Sequence, residues 1–161
     1  MTILPVANKI DLIVKVVDDL TGDIARRLVE IEDKAFGEGG LHNEWLMVPM
    51  IRYGRVFTAE LEGQLVGSAQ FMRAWIGHDT VYFYGVSMLP QYRGQGLGTA
   101  FLKDILSYLK KDGVRKVILS VSPQNKRAVH LYRERFGFRT VNSIAGEYGP
   151  GEDRLIMECI L

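Results

Sequence analysis

The segment Arg93-Gly94-Gln95-Gly96-Leu97-Gly98-Thr99 sets glycines at alternate positions between two stretches of opposite periodicity. Before it, Thr80 to Met88 is rich in β-branched and aromatic residues and reads as a strand. After it, Leu97, Phe101, Leu102, Ile105 and Leu109 fall on one side of a helix running to Lys111, leaving Lys103, Ser107 and Lys111 outside. Glycines without a Cβ let successive N–H groups turn toward one point, and the start of the following helix adds unpaired donors and a positive dipole end. A strand, a glycine turn and a helix in that order predict an anion site for phosphate.

Two common phosphate motifs do not fit. No Gly-Lys-Ser/Thr ending is present for a nucleotide-triphosphate loop, and Thr99 stands where a dinucleotide fingerprint counted from Gly94 needs glycine.

Downstream of the turn, the pattern continues as a strand at Val114 to Val121, a helix at Asn125 to Phe136 and strands at Phe138 to Ser143 and Asp153 to Ile160. Strand-helix-strand order implies a locally parallel sheet, and the apolar run Val117-Ile118-Leu119 suits a strand covered on both faces. Upstream, Ile10 to Val17 reads as a strand, and Thr21 offers an N-cap. Ile24, Leu28, Ile31 and Ala35 then mark the apolar stripe of a helix ending at Gly37, with Arg26, Arg27, Glu30 and Asp33 around the rest. Gly37 to Gly54, opened by Gly39-Gly40, is irregular but holds a short helix through Trp45, Leu46, Met47 and Ile51 despite Pro49. Val56 to Leu61 and Leu65 to Met72 flank Glu62-Gly63-Gln64 as a hairpin. The expected fold class is α/β (α+β mixed). Its central twisted mixed sheet has an antiparallel N-terminal half and a parallel C-terminal half flanked by helices, in a single domain over residues 1–161.

Composition narrows the function. With 161 residues, 47% hydrophobic and 24% charged, the chain has an ordinary globular make-up and length for one core. Its 20 basic and 19 acidic side chains give a net charge of +1, so no global field selects nucleic acid or an anionic membrane as partner. The single Cys159 cannot form an internal disulfide, which suits a reducing cytoplasm. His42, His78 and His130 are scattered and no Cys/His cluster accompanies them, so no metal is expected. No apolar run approaches the roughly 20 residues of a membrane span, and no signal-peptide core precedes Pro5, Asn8 and Lys9.

Arg93-x-x-Gly96-x-Gly98 after a strand and Pro90 resembles the pyrophosphate turn of the GNAT superfamily of N-acetyltransferases. Asn125-x-x-Ala128-Val129-x-Leu131-Tyr132, running into Phe136-Gly137-Phe138, is similar to that superfamily's second cofactor motif at a matching distance. The similarity covers roughly Thr80 to Phe138, and the flanks only by topology.

The resemblance implies acetyl-CoA as cosubstrate, held by Arg93, Gly94, Gln95, Gly96, Leu97, Gly98 and Thr99. It also implies a pantetheine arm between two splayed strands, here Thr80 to Met88 and Val114 to Val121. Gly85 marks a bulge or close approach, and Val86, Ser87 and Met88 belong to the cofactor set, the amides of Val86 and Met88 pairing with pantetheine. Asn125 and Tyr132 lie seven residues apart, so a helix of ~3.6 residues per turn carries both on one face. Attack of a neutral amine on a thioester calls for amide donors at the oxyanion and a proton source at sulfur, and Tyr132 fits the latter. Many relatives have a glutamate five residues before the motif asparagine, and here that position is Ser120, leaving Tyr82, Tyr84, Glu44 or a water chain to relay the proton. Lys126, Arg127, Arg133 and Arg135 are candidate contacts to the cofactor's ribose phosphate.

The acceptor, an amine-bearing small molecule or a peptide, is expected over Gly37 to Gly54 and Ala145 to Asp153, with His42, Glu44, Trp45 and Tyr148 as candidates. A homodimer is a compatible assembly. Ser120 also motivates a rival, a non-catalytic acyl-CoA-binding or sensor domain. The basic helix after Asn125 is the only ground for a nucleic-acid-binding module, and the near-neutral balance opposes it.

Overall fold

The computed structural model describes residues 2–3, 11–37 and 43–161. Ile10, Gly39-Gly40 and His42 therefore lie outside the described residues. In chain order the elements begin with β1 (Thr2–Ile3), β2 (Leu12–Val17), α1 (Ile24–Phe36), α2 (Glu44–Tyr53), β3 (Arg55–Leu61) and β4 (Gln64–Arg73). They continue with β5 (Thr80–Met88), α3 (Leu97–Lys111), β6 (Lys116–Val121), α4 (Lys126–Phe136), β7 (Arg139–Ile144) and β8 (Arg154–Ile160). The strands form an open mixed sheet in the order β1-β2-β3-β4-β5-β6-β8-β7. Two compact units divide the chain, Met1–Met72 with Gly85–Tyr108 and Arg73–Tyr84 with Leu109–Leu161.

In the first unit, β2, β3 and β4 run antiparallel. The hairpin between β3 and β4 turns through Glu62 and Gly63 at φ 51° and 77°, the two-residue left-handed turn whose twist matches that of the strands. It is one residue shorter than the expected Glu62-Gly63-Gln64 because Gln64 already pairs with Leu61. Thr21 does not cap α1. Its N–H and hydroxyl both bind Asp19 Oδ1, at 3.0 and 2.6 Å, and the cap position falls to Asp23, which makes no side-chain cap bond. Asn43 caps α2 by accepting from the Leu46 N–H at 3.1 Å, and Pro49 is accommodated within that helix.

Val66 to Phe71 of β4 is buried throughout, so both faces of this strand are covered. On one face Phe57 meets Phe71 and Tyr108 of α3 edge-on, with ring centroids 5.7 and 5.4 Å apart. On the other, Ser68 and Gln70 reach Glu32 of α1. The period-2 alternation of β4 thus places α3 and α1 on opposite faces.

In the second unit, β5 and β6 pair in parallel from Thr80↔Lys116 to Phe83↔Leu119, and the register stops there while both strands continue. β8 enters antiparallel between β6 and β7, so the parallel step of this half is β5–β6. Val117, Leu119 and Val121 are the buried positions of β6, and Phe83, in register with Leu119, packs on Tyr132 of α4.

Asp104 of α3 is 7% exposed and its Oδ2 has no hydrogen-bond partner. Burial pushes its carboxyl up, and the charge of Lys103 draws it only part of the way back. A raised native value means that the contribution is intact below the unfolded pKa of about 3.9 and is lost as pH rises above it. Asp104→Asn should therefore raise Tm at pH 7 by about 2–4 °C, the shift expected of ~1 kcal/mol in a chain of this size. Thermal denaturation should show that gain shrinking toward pH 4.

Candidate cofactor site

The turn after β5 is built from backbone requirements. Gly94 and Gly96 sit at φ +76° and +79°, in the left-handed region where an L side chain costs roughly 1–2 kcal/mol. Gly98 has no such constraint, being in the first turn of α3. A Cβ on Gly94, Gly96 or Gly98 would meet no heavy atom within 4 Å. Two of the glycines thus satisfy the chain path, whereas the third faces open space that the protein itself does not need. The buried side chain of Leu97 anchors the start of α3. The Ala100 N–H bonds back to the Gly96 carbonyl at 3.0 Å, so helix geometry leaves the amides of Leu97, Gly98 and Thr99 without an intrahelical acceptor. Gln95 Nε2 donates to the Gln91 carbonyl at 2.9 Å and braces the turn. Such a nest of amides at a helix N-terminus binds anionic oxygens.

Arg93 makes two hydrogen bonds within the protein through its guanidinium. Its Nε donates to the Met88 carbonyl at 2.9 Å and its Nη2 to the Ala35 carbonyl at 2.6 Å, while its N–H bonds to Pro90. The guanidinium ties the end of β5 and the end of α1 to the turn. Ser87 is likewise turned inward, 2% exposed, with its hydroxyl on the Glu32 carboxylate at 2.6 Å. Gly85 does not adopt a left-handed φ, and a Cβ there would touch only Gln70 Oε1, at 3.4 Å. Gly67 is the tighter position, since a Cβ there would stand 2.7 Å from the Ser87 carbonyl.

In the second unit, Asn125 Oδ1 accepts from the Ala128 N–H at 3.1 Å and caps α4. At the other end Gly137 takes φ 70°, and the N–H groups of Gly137 and Phe138 close on the carbonyls of Arg133 and Tyr132. Phe136-Gly137-Phe138 is therefore a helix stop. It also fixes Tyr132, whose ring lies 5.7 Å from Phe138 and 5.9 Å from Phe83. Burial pushes the Tyr132 hydroxyl up to about 12, so it is a neutral donor across the ordinary pH range. Lys126, Arg127, Arg133 and Arg135 are exposed.

Ser120 is brought to Tyr82, whose Oη donates to Ser120 Oγ at 3.3 Å. Burial pushes Tyr82 up to about 12, opposed by the Ser120 hydroxyl, which can turn to donate to the phenolate, and reinforced by Tyr148 and the charge of Glu147. Tyr148 carries the Arg154 guanidinium 4.5 Å over its ring. Glu44 and Trp45 open α2 and are exposed, Trp45 by 90%. Among the described residues no group of His, Cys, Asp or Glu could hold a metal ion, and no helix is long and apolar enough to cross a membrane.

Glu32 escaped the sequence reading, although it was detectable in principle. It lies four residues after Leu28 on the apolar stripe of α1, where a carboxylate needs partners.

The model of the acetyltransferase (GNAT) family matches residues 25–138. An N-alpha-acetyltransferase of Sulfurisphaera tokodaii is 30% identical over 112 residues, 63% of this chain and 66% of that protein. The chain spans 34–66% of the lengths of the first of its curated relatives. The solved ribosomal-protein-S18-alanine N-acetyltransferase of Escherichia coli shares the fold with a TM-score of 0.74 at 24% identity, covering 91% of this chain and 93% of that one. A family member from Elizabethkingia anophelis, solved with acetyl-CoA bound, gives 0.73 at 14% identity over 92% and 98%.

Proposed function

This chain belongs to the acetyltransferase (GNAT) family, and on that footing we propose that it transfers an acetyl group from acetyl-CoA directly to a primary amine of a small molecule, peptide or protein. The observation that carries the proposal is the left-handed turn at Gly94 and Gly96, opening on the free amides of α3 with empty space beside all three glycines. On this reading the amides from Gly94 to Thr99 hold the pyrophosphate, and those of Val86 and Met88 hold pantetheine.

A neutral amine nitrogen attacks the thioester carbonyl carbon, the C–S bond breaks, and the proton lost from nitrogen passes through water to the departing thiolate, giving the amide and CoA–SH. Tyr132, held neutral by burial, donates a hydrogen bond to the departing sulfur. Its raised value makes full proton transfer to a thiolate, near ~8.5, uphill, so hydrogen bonding is the larger part of its role. The acetyltransferase relatives favour catalysis over the sensor alternative, and the neutral hydroxyls of Tyr82 and Ser120 can relay a proton where many relatives carry a carboxylate. Direct transfer is favoured because the one thiol, Cys159, is 8% exposed, has its pKa raised by burial, and donates to the Phe136 carbonyl at 3.2 Å.

Thiol release from acetyl-CoA in the presence of a panel of amines and N-terminal peptides tests the activity. Amine-dependent release is expected, whereas cofactor binding without release from any acceptor would favour the sensor reading.

Gly96→Val, which forces a β-branched residue to positive φ, should weaken acetyl-CoA binding at least about tenfold by calorimetry. Gly98→Ala is more discriminating. Helix propensity should leave Tm equal or higher, while the added methyl enters the proposed phosphate space and weakens binding. Unchanged affinity in both variants would take the turn out of the site.

Tyr132→Phe should lower kcat by about 10–100-fold, as loss of a hydrogen bond to a charged group does, with acetyl-CoA affinity changed less than about threefold. Because the native pKa lies near 12, the wild-type kcat profile should show no alkaline limb from this group below about pH 10. A rate within about threefold of wild type, with chemistry limiting, would leave Tyr132 as core only.

A further inference from the structure

Glu32 is 1% exposed, and one of its oxygens, Oε1, receives three neutral donors. These are Ser68 Oγ at 2.5 Å and Gln70 Nε2 at 3.0 Å from β4, and Ser87 Oγ at 2.6 Å from β5. Gln70 Nε2 also donates to Ser68 Oγ at 2.8 Å, and Ser68 Oγ lies 3.0 Å from Ser87 Oγ, each serine having its single hydroxyl hydrogen on Glu32. Ser68, Gln70 and Ser87 are all buried, at 0, 0 and 2% exposure. Burying a carboxylate is costly even when it is hydrogen-bonded, and apolar residues of similar volume would hold the layers together as well. What an apolar contact lacks is direction. Three bonds on one oxygen fix where α1, β4 and β5 stand along one another.

Beside Ser87, β5 is also fitted closely to β4. The Ser87 carbonyl lies over Gly67, where any Cβ would come to 2.7 Å, and the Leu89 N–H bonds to Val66 at 2.9 Å. One turn along α1 from Glu32, the Ala35 carbonyl accepts from Arg93, whose other nitrogen bonds to the Met88 carbonyl. α1 therefore grips β5 twice, at Ser87 through Glu32 and at Met88 through Arg93. The amides of Val86 and Met88 flank the first grip.

We propose that Glu32 is a positioning residue for the cofactor strand, its carboxylate setting the register of Ser87 so that the Val86 and Met88 amides meet pantetheine. This rests on the function proposed above. It assigns to a buried α1 carboxylate the control of cofactor affinity rather than of the chemical step.

Steady-state kinetics of the full chain with acetyl-CoA, alongside calorimetry and Tm, separates positioning from mere packing. Glu32→Ala should raise the KM and Kd for acetyl-CoA about tenfold or more while kcat at saturation stays within about threefold. Glu32→Gln should recover both to within about threefold of wild type, because an amide oxygen still accepts from the Ser68 and Ser87 hydroxyls. Ser87→Ala, a milder change if Glu32→Ala fails to fold, should raise KM about three- to tenfold with kcat kept. A folded Ser87→Ala or Glu32→Ala protein with lowered Tm but wild-type KM and Kd would overturn the proposal. So would a Glu32→Gln variant that binds acetyl-CoA normally yet loses kcat, since the charge would then be acting in the chemistry. Wild-type protein that neither binds nor turns over acetyl-CoA would instead remove the functional reading on which this one stands.

Discussion

The path of the chain between β5 and α3 depends on two residues at positive φ, Gly94 and Gly96. An L side chain adopts that geometry only with strain, and after the single 3-10 turn at Pro90–Tyr92 it leads the chain into a helix whose first amides have no intrahelical acceptor. Everything proposed for the cofactor follows from those amides being available. The protein leaves them so by filling the space behind the turn and not in front of it: Leu97 is buried, Gln95 bonds to its own turn, and a Cβ on any of the three glycines would meet open space.

A turn of this kind is useful only if the strand before it is equally fixed. β4 provides one constraint by coming so close to β5 that Gly67 admits no side chain. α1 provides the others through Glu32 on Ser87 and through the Ala35 carbonyl on Arg93. Arg93 illustrates how a charged motif residue can act through geometry. Two of its five N–H donors reach carbonyls, and through them it holds Met88, the end of α1 and the turn together. In the second unit Gly137 and Phe138 do the same for Tyr132, ending α4 so that the ring is packed and its hydroxyl stays protonated.

What could be seen in the sequence was what is encoded locally. The glycine turn, the amphipathic stripes of α1 and α3 and the α4 stop at Gly137 each rest on spacings of a few residues, and the structure reproduces their extents closely. Features set by distant partners were not visible. Glu32 finds Ser68, Gln70 and Ser87 at separations of 36, 38 and 55 residues, so its burial reads from the sequence only as a charge out of place. The insertion of β8 between β6 and β7 is a choice of strand order that no single segment carries. Thr21 looked like a cap by type, but Asp19 two residues earlier competes for its N–H and hydroxyl. The two-residue hairpin depends on Glu62 accepting φ 51°, which the Glu62-Gly63-Gln64 composition alone does not dictate.

The central claim is that the Gly94 to Thr99 amides bind a pyrophosphate, and it is tested most directly by removing the phosphate at that position from the ligand. Calorimetry should compare S-acetyl-4′-phosphopantetheine with S-acetylpantetheine, which keeps the thioester and the pantetheine amides and lacks only the phosphate at the pyrophosphate position. The account predicts that the truncated ligand binds at least about a hundredfold more weakly, the loss of two or more charge-assisted hydrogen bonds. Equal affinity for the two would contradict it, because the turn would then contribute nothing to binding.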